Sequence, residues 1–179
     1  MKNDQNMTGG YLRFFAMIGT AMVAMFVLMY THSYQIIDHA WFSETRLFMT
    51  LIMGGSMMII MLSFMLKMYK SFKINTGIFI CGFLILILGI WLVRSQEPVD
   101  EVDYMEGMIP HHSIAILTSE RADIDDVRVR KLADKIIEAQ RKEIREMEWL
   151  IEDIRENGAA KLESEADARA VPQFSGTSE

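Results

Sequence analysis

One cysteine stands in the 179 residues of this sequence. Cys81 lies inside an apolar run, so the chain holds neither an internal disulfide nor a CxxC metal or redox pair. Prolines number only three, Pro98, Pro110 and Pro172, which leaves most of the chain free to form long helices. No Glu-x-x-His motif occurs, so the usual ligand set of a di-iron carboxylate bundle is missing. No P-loop, dinucleotide fingerprint or serine or cysteine nucleophile set is found. The net charge of −6, without a basic patch in the charged half, speaks against nucleic acid. These absences point to a non-enzyme.

Charge is also missing in long stretches. None occurs between Arg13 and Asp38, Arg46 and Lys67, or Lys73 and Arg94. A helix needs about 20 apolar residues to cross a bilayer, so three transmembrane helices are expected, at 14–31, 47–66 and 74–93, within a membrane region 1–94. The first is too long for a signal peptide and no small-x-small cleavage site follows it. Ala16, Thr20 and Ala24 form a small-residue stripe suited to close helix contact. Lys2, Arg13, Lys67, Lys70 and Lys73 mark the cytoplasmic side, whereas the connection 32–45 has no Lys or Arg. The amino end is then cytoplasmic, and residues from 94 onward lie outside the bacterial inner membrane. Tyr30, Tyr34, Trp41, Tyr69 and Trp91 fall at the boundaries, as interface aromatics do. All four histidines, His32, His39, His111 and His112, fall on or near the outer face.

Beyond Trp91 the chain becomes charged. A short acidic linker leads to a helical hairpin over 95–157. In its first helix Val102, Met105, Ile109, His112, Ile116 and Ser119 recur at steps of three and four. Pro110 interrupts this stripe and predicts a kink or local break, freeing the carbonyl of Glu106. Asp125 or Asp126 caps the second helix. There Ala133, Ile137, Gln140, Ile144, Met147, Ile151 and Ile154 form a heptad-like seam facing another helix. Gly158 ends it, and the polar tail 158–179 is expected to be disordered. Two amphipathic helices bury little alone, so a homodimer completing a four-helix bundle is expected.

The runs "MEGMIPHHSIAI" and "LADKIIEAQRKEIREMEWL" resemble the CopM-like helical domain family, an uncharacterised-domain family grouped with ferritin-like folds. The likeness covers about residues 100–152. It implies an all-α, ferritin-like domain and, for some members, copper or silver binding outside the cytoplasm. One departure is visible: the turn before the second helix reads "DIDDVRVR", where members often carry a histidine.

The residues themselves support a soft-metal reading. Met105, Met108 and His112 sit at i, i+3 and i+7, with His111 beside them. Gln140, Glu143 and Met147 repeat that spacing on the second helix, and antiparallel packing would face the two sets. Thioethers and imidazoles favour Cu(I) and its mimic Ag(I). Zinc lacks a compact Cys and His set. The candidate metal ligands are His111, His112, Met108, Met105, Met147 and Glu143, for a copper cofactor held for homeostasis or resistance. The alternatives are packing for each methionine, an ion pair for Glu143, and a metal-free membrane-anchored interaction module for the whole. The second span also carries Met49, Met53, Met57, Met61 and Met65 every four residues, and the first carries Met22, Met25 and Met29 before His32. Apolar filler is the adopted reading of both rows; a thioether path is the other. Partner copper-handling proteins and the bilayer complete the expected associations.

Overall fold

The computed structural model describes residues 2–31 and 41–177, so His32, His39 and Tyr34 lie outside the described residues. Among these residues the chain is all-α: α1 (Lys2–Leu28), α2 (Glu44–Met65), α3 (Phe72–Ser95), α4 (Glu101–Arg121), α5 (Val127–Asn157) and α6 (Glu163–Ala168). They fall into two units, one of α1 to α3 and one of α4 onward that also includes Trp41, Phe42 and Ser43.

In the first unit three segments are long and apolar enough to cross a membrane: Gly9–Leu28, Glu44–Met65 and Phe72–Ser95. The second and third match the charge-free windows to within a few residues. α1 differs, starting well before Phe14 and ending at Leu28. Backbone hydrogen bonding continues past a charged residue, so a charge-free window locates bilayer core rather than helix ends.

α2 and α3 approach at their backbones. A Cβ on Gly55 would stand 2.8 Å from Gly82 O, and one on Gly89 would stand 3.1 Å from Ile52 N. α1 meets its neighbours through side chains instead. Tyr11, Phe14 and Ile18 are buried with Met58, Leu62, Tyr69 and Ile78. The stripe Ala16, Thr20 and Ala24 is exposed, and within the chain the close backbone contact is made by the glycines of α2 and α3. The polar side chains of Tyr11, Asn75 and Arg46 are buried and paired, as an apolar surrounding demands. Tyr11 donates to Asn75 Oδ1 at 2.7 Å, Asn75 Nδ2 donates to Tyr69 O at 2.7 Å, and Arg46 donates to Met29 O at 2.8 Å.

In the second unit α4 and α5 form a hairpin. Asp100 caps α4 by accepting from the N–H groups of Val102 and Asp103, and Asp103 returns a bond to the Asp100 N–H. That capping box satisfies donors a helix start leaves open. Asp126, one of the two residues expected, caps α5. α4 runs unbroken through Pro110. Of the kink or local break expected there, the break is absent; buried Ile109, Pro110 and Ser113 hold both sides of the proline in the core. The seam of α5 faces α4: Ile137, Ile144, Met147, Ile151 and Ile154 pack with Val102, Met105, Ile109 and Ile116.

The tail 158–179, read as disordered, is ordered where described. It carries α6 and returns along α5. Arg169 pairs with Asp153 at 2.6 Å and donates to Gly158 O at 3.1 Å. Arg145 donates to Ser175 O at 2.9 Å and Thr177 O at 3.0 Å. Gly176 lies against the Glu138 carbonyl with no room for a Cβ. Composition counts apolar surface, and this tail is held by arginines and a glycine.

Candidate soft-metal site

The first histidine-bearing turn follows Pro110 on α4. His111 is exposed, and His112, one position on, turns toward α5. The two ring centroids are 6.2 Å apart and tilted by 59°, so neighbouring imidazoles on one helix point to different surroundings. The His112 side chain is 13% exposed and that of Glu143 is 47% exposed, and Nδ1 lies 3.1 Å from Glu143 Oε2. The distance suits an ion pair, yet Nδ1 is buried without a hydrogen-bond partner. The ring N–H does not aim at the carboxylate. An imidazole nitrogen with an unused lone pair or proton is thus held beside a carboxylate.

Burial lowers the His112 pKa below 6.5; the Glu143 carboxylate opposes this and His111 adds to it. Removing water penalises the charged form more than one partly exposed carboxylate compensates. His112 is therefore neutral at neutral pH, the form in which imidazole binds a metal.

The methionines are disposed unequally. Met105 is buried among Ile109, Ile144 and Ile151, and Met147 packs against the same cluster. Both complete the hairpin core. Met108 is half-buried one turn before His112. Among the described residues no three of His, Cys, Asp and Glu gather around a point, so a metal here relies on thioether donors. Gln140, on the same stretch of α5, donates to Glu143 Oε2 at 3.3 Å and fixes the carboxylate from behind.

A second polar cluster escaped the sequence reading. Glu106 is buried in the apolar stripe of α4 and pairs with Arg155 of α5. The Arg155 guanidinium lies 5.7 Å from the centroid of the Trp41 ring. Trp41, read as an interface aromatic, packs against the hairpin core. The available signal was a carboxylate next to Met105 where an apolar residue is usual.

Fold and geometry define an all-α protein with three helices of membrane-spanning length and a separate helical hairpin bearing a half-buried His and Glu pair. Residues 100–177 match the family described as a domain of unknown function (DUF305). An uncharacterized protein of Acanthamoeba polyphaga mimivirus is 35% identical over 104 residues, which cover 54% of this chain and 68% of the viral one. The chain belongs to this family. No solved structure matches it.

Proposed function

We propose that this chain is a membrane-anchored, extracytoplasmic binding protein for Cu(I), and for Ag(I) by mimicry, serving copper homeostasis or resistance through binding and not catalysis. The observation that carries this reading is His112: a neutral, mostly covered imidazole whose Nδ1 is unbonded, beside Glu143 and one turn from Met108. Neutral imidazole and thioether are soft to borderline donors that suit a d¹⁰ monovalent cation. His112 and Met108 supply the first donors, His111 the exposed entry donor, and Glu143 the countercharge. Met105 and Met147 stand behind them in the core, within one helical turn of Met108 and Glu143 respectively.

The topology proposed is amino end in the cytoplasm and hairpin outside the bacterial inner membrane. Packing of Trp41 with the hairpin supports it, because the first connection and the hairpin then share one face. A half-bundle of ferritin-like kind, completed by a second copy, is the assembly proposed. Since the seam of α5 is already taken by α4, the second copy must use another face. Exposed Val129, Leu132 and Ile136, spaced i, i+3 and i+7 along α5, favour that face and equally favour a metal-free interaction module.

Full-length protein in nanodiscs, titrated with Ag(I) and with Cu(I) against a chromophoric chelator, separates the two readings. The metal reading expects tight binding that His112→Ala weakens about tenfold or more. The interaction-module reading expects no binding above empty nanodiscs, and that outcome would remove copper from the account.

A further inference from the structure

Five methionines of the first unit gather on one apolar cluster. Met58 is buried, and Met22, Met57, Met61 and Met65 pack around the same cluster, which holds α1 and α2 residues together with Tyr69 and Ile78. Met17 and Met49 are exposed, as are Leu12, Ile60, Phe64, Phe83, Leu84 and Ile87. α3 contains no methionine at all.

Two contacts show how the sulfurs are seated. At Gly54 an added Cβ would stand 2.5 Å from Met22 Sδ, so the α2 backbone is hollowed where that sulfur sits. Further along, Thr50 Oγ1 lies 3.9 Å from Met29 Sδ. From the level of Thr50 to Met65 the row rises about 22 Å at the helical rise of 1.5 Å per residue. That is most of a hydrocarbon core of about 30 Å. Successive methionines of α2 four residues apart rise by about 6 Å.

We propose that the α1–α2 interface is a thioether ladder that passes a soft monovalent cation, Cu(I) or Ag(I), between the two faces of the membrane. The proposal rests on the soft-cation reading of the hairpin and extends it to transport. Thioethers are neutral and release no proton on binding, so each cation carries one uncompensated positive charge. Passage is therefore electrogenic, and an inside-negative potential drives it inward. Buried Arg46, bonded to Met29 O, places a fixed positive charge at the outer end and makes entry the slow step. Tyr11 and Asn75 mark the other end with paired oxygens and nitrogens.

The test uses the full chain in liposomes under an inside-negative potassium diffusion potential, with Ag(I) outside followed by a silver-selective electrode. Uptake should exceed that of protein-free vesicles, rise with the potential, and leave Na⁺ excluded. Met57→Leu with Met61→Leu keeps volume and apolarity, a class of swap that cores tolerate. This pair should slow uptake about tenfold or more, as loss of metal donors does, with an unchanged circular-dichroism melt. Met17→Leu with Met68→Leu, at exposed positions, should transport like the parent. His112→Ala should lose hairpin binding yet retain uptake at saturating Ag(I), which keeps failure of the hairpin site distinct from failure of the ladder. Parent uptake no faster than protein-free vesicles overturns the proposal. So does a Met57 and Met61 variant that transports as fast as the parent, or equal slowing by the exposed pair.

Discussion

Arg155 stacks its guanidinium 5.7 Å from the centroid of Trp41, a residue 114 positions earlier in the chain. The same guanidinium pairs with the buried Glu106, so one arginine joins the first connection, α4 and α5. A cation over an indole at a partly exposed site contributes about 0.5–1 kcal/mol. Trp41→Ala and Arg155→Ala should each lower the melting temperature of the hairpin. Their double-mutant cycle should return a coupling in that range. Additive effects would show that the two residues are neighbours without an interaction.

The same contact bears on topology. Two segments that pack together occupy one face of the membrane. Alkaline phosphatase fused after Glu156 should be active, and a single cysteine placed at Phe42 in a Cys81→Ser background should react with a membrane-impermeant thiol reagent from that side. Labelling of Phe42→Cys from the face opposite the active fusion would contradict the packing of Trp41 on the hairpin.

Helix contact between α2 and α3 depends on absent side chains. A Cβ at Gly55 would meet Gly82 O and Leu86 N, each at 2.8 Å, while Gly77 has nothing within 4 Å. Gly55→Leu should force the backbones apart and destabilise by about 1–3 kcal/mol, the range for overpacking. Gly77→Ala should be neutral. Thermal denaturation in detergent, followed by circular dichroism, checks both, and equal effects at the two positions would deny that backbone approach holds α2 against α3.

The legible parts of this molecule are those written as a period or a gap. Charge-free windows located the three helices long and apolar enough to cross a membrane, and the 3.6-residue period located the seam that Ile144 and Ile151 bury against α4. Of the kink or break expected at Pro110, the break does not occur, since its neighbours are buried on both sides. The Glu106, Arg155 and Trp41 cluster was illegible for another reason: it joins residues far apart in sequence, and no local period records such a meeting. At the candidate site, spacing brought His112 and Glu143 together on paper and the fold does so at 3.1 Å. For Met105 and Met147 it left packing and metal binding both open, and the fold sets both in the hairpin core.

Asp126 accepts from the backbone N–H of Arg128 at 2.8 Å and takes the Arg128 guanidinium on its other oxygen at 2.6 Å. These bonds, the guanidinium's first, hold its carboxyl at about 2, below its ordinary 3.8. A depressed carboxylate stabilises the fold above its unfolded pKa, and that contribution disappears as pH falls from 3.8 through about 2. Asp126→Asn keeps a cap acceptor but loses the charge, so its melting curve should match the parent near pH 2 and fall below it above pH 4. A parent whose stability does not change across this window, relative to Asp126→Asn, would remove the ion pair from the cap.

His112 sets the pH at which the candidate site should open and close. Its pKa is depressed, chiefly by burial, so the unfolded chain takes a proton before the folded one does. Folding stability is then unaffected above the unfolded value of about 6.5 and declines as pH falls below it, until the folded pKa is reached. Metal binding follows the folded value, because an imidazole must be unprotonated to donate. Ag(I) affinity should therefore hold through pH 6.5 and weaken only at lower pH, leaving residual thioether binding below that. Glu143→Gln removes the one group that raises the His112 pKa. It should shift the midpoint of the affinity profile further down while weakening binding at pH 7 through loss of the countercharge. Met108→Ala should weaken binding to a similar degree at both pH values, and His111→Ala should act less than His112→Ala, since His111 is exposed. The measurement is Ag(I) titration of the full chain across pH 4.5 to 8, with ¹⁵N chemical shifts of the His112 ring reporting protonation directly. A midpoint at or above the ordinary histidine value, or one that Glu143→Gln moves upward, would show that His112 is not the group that controls binding.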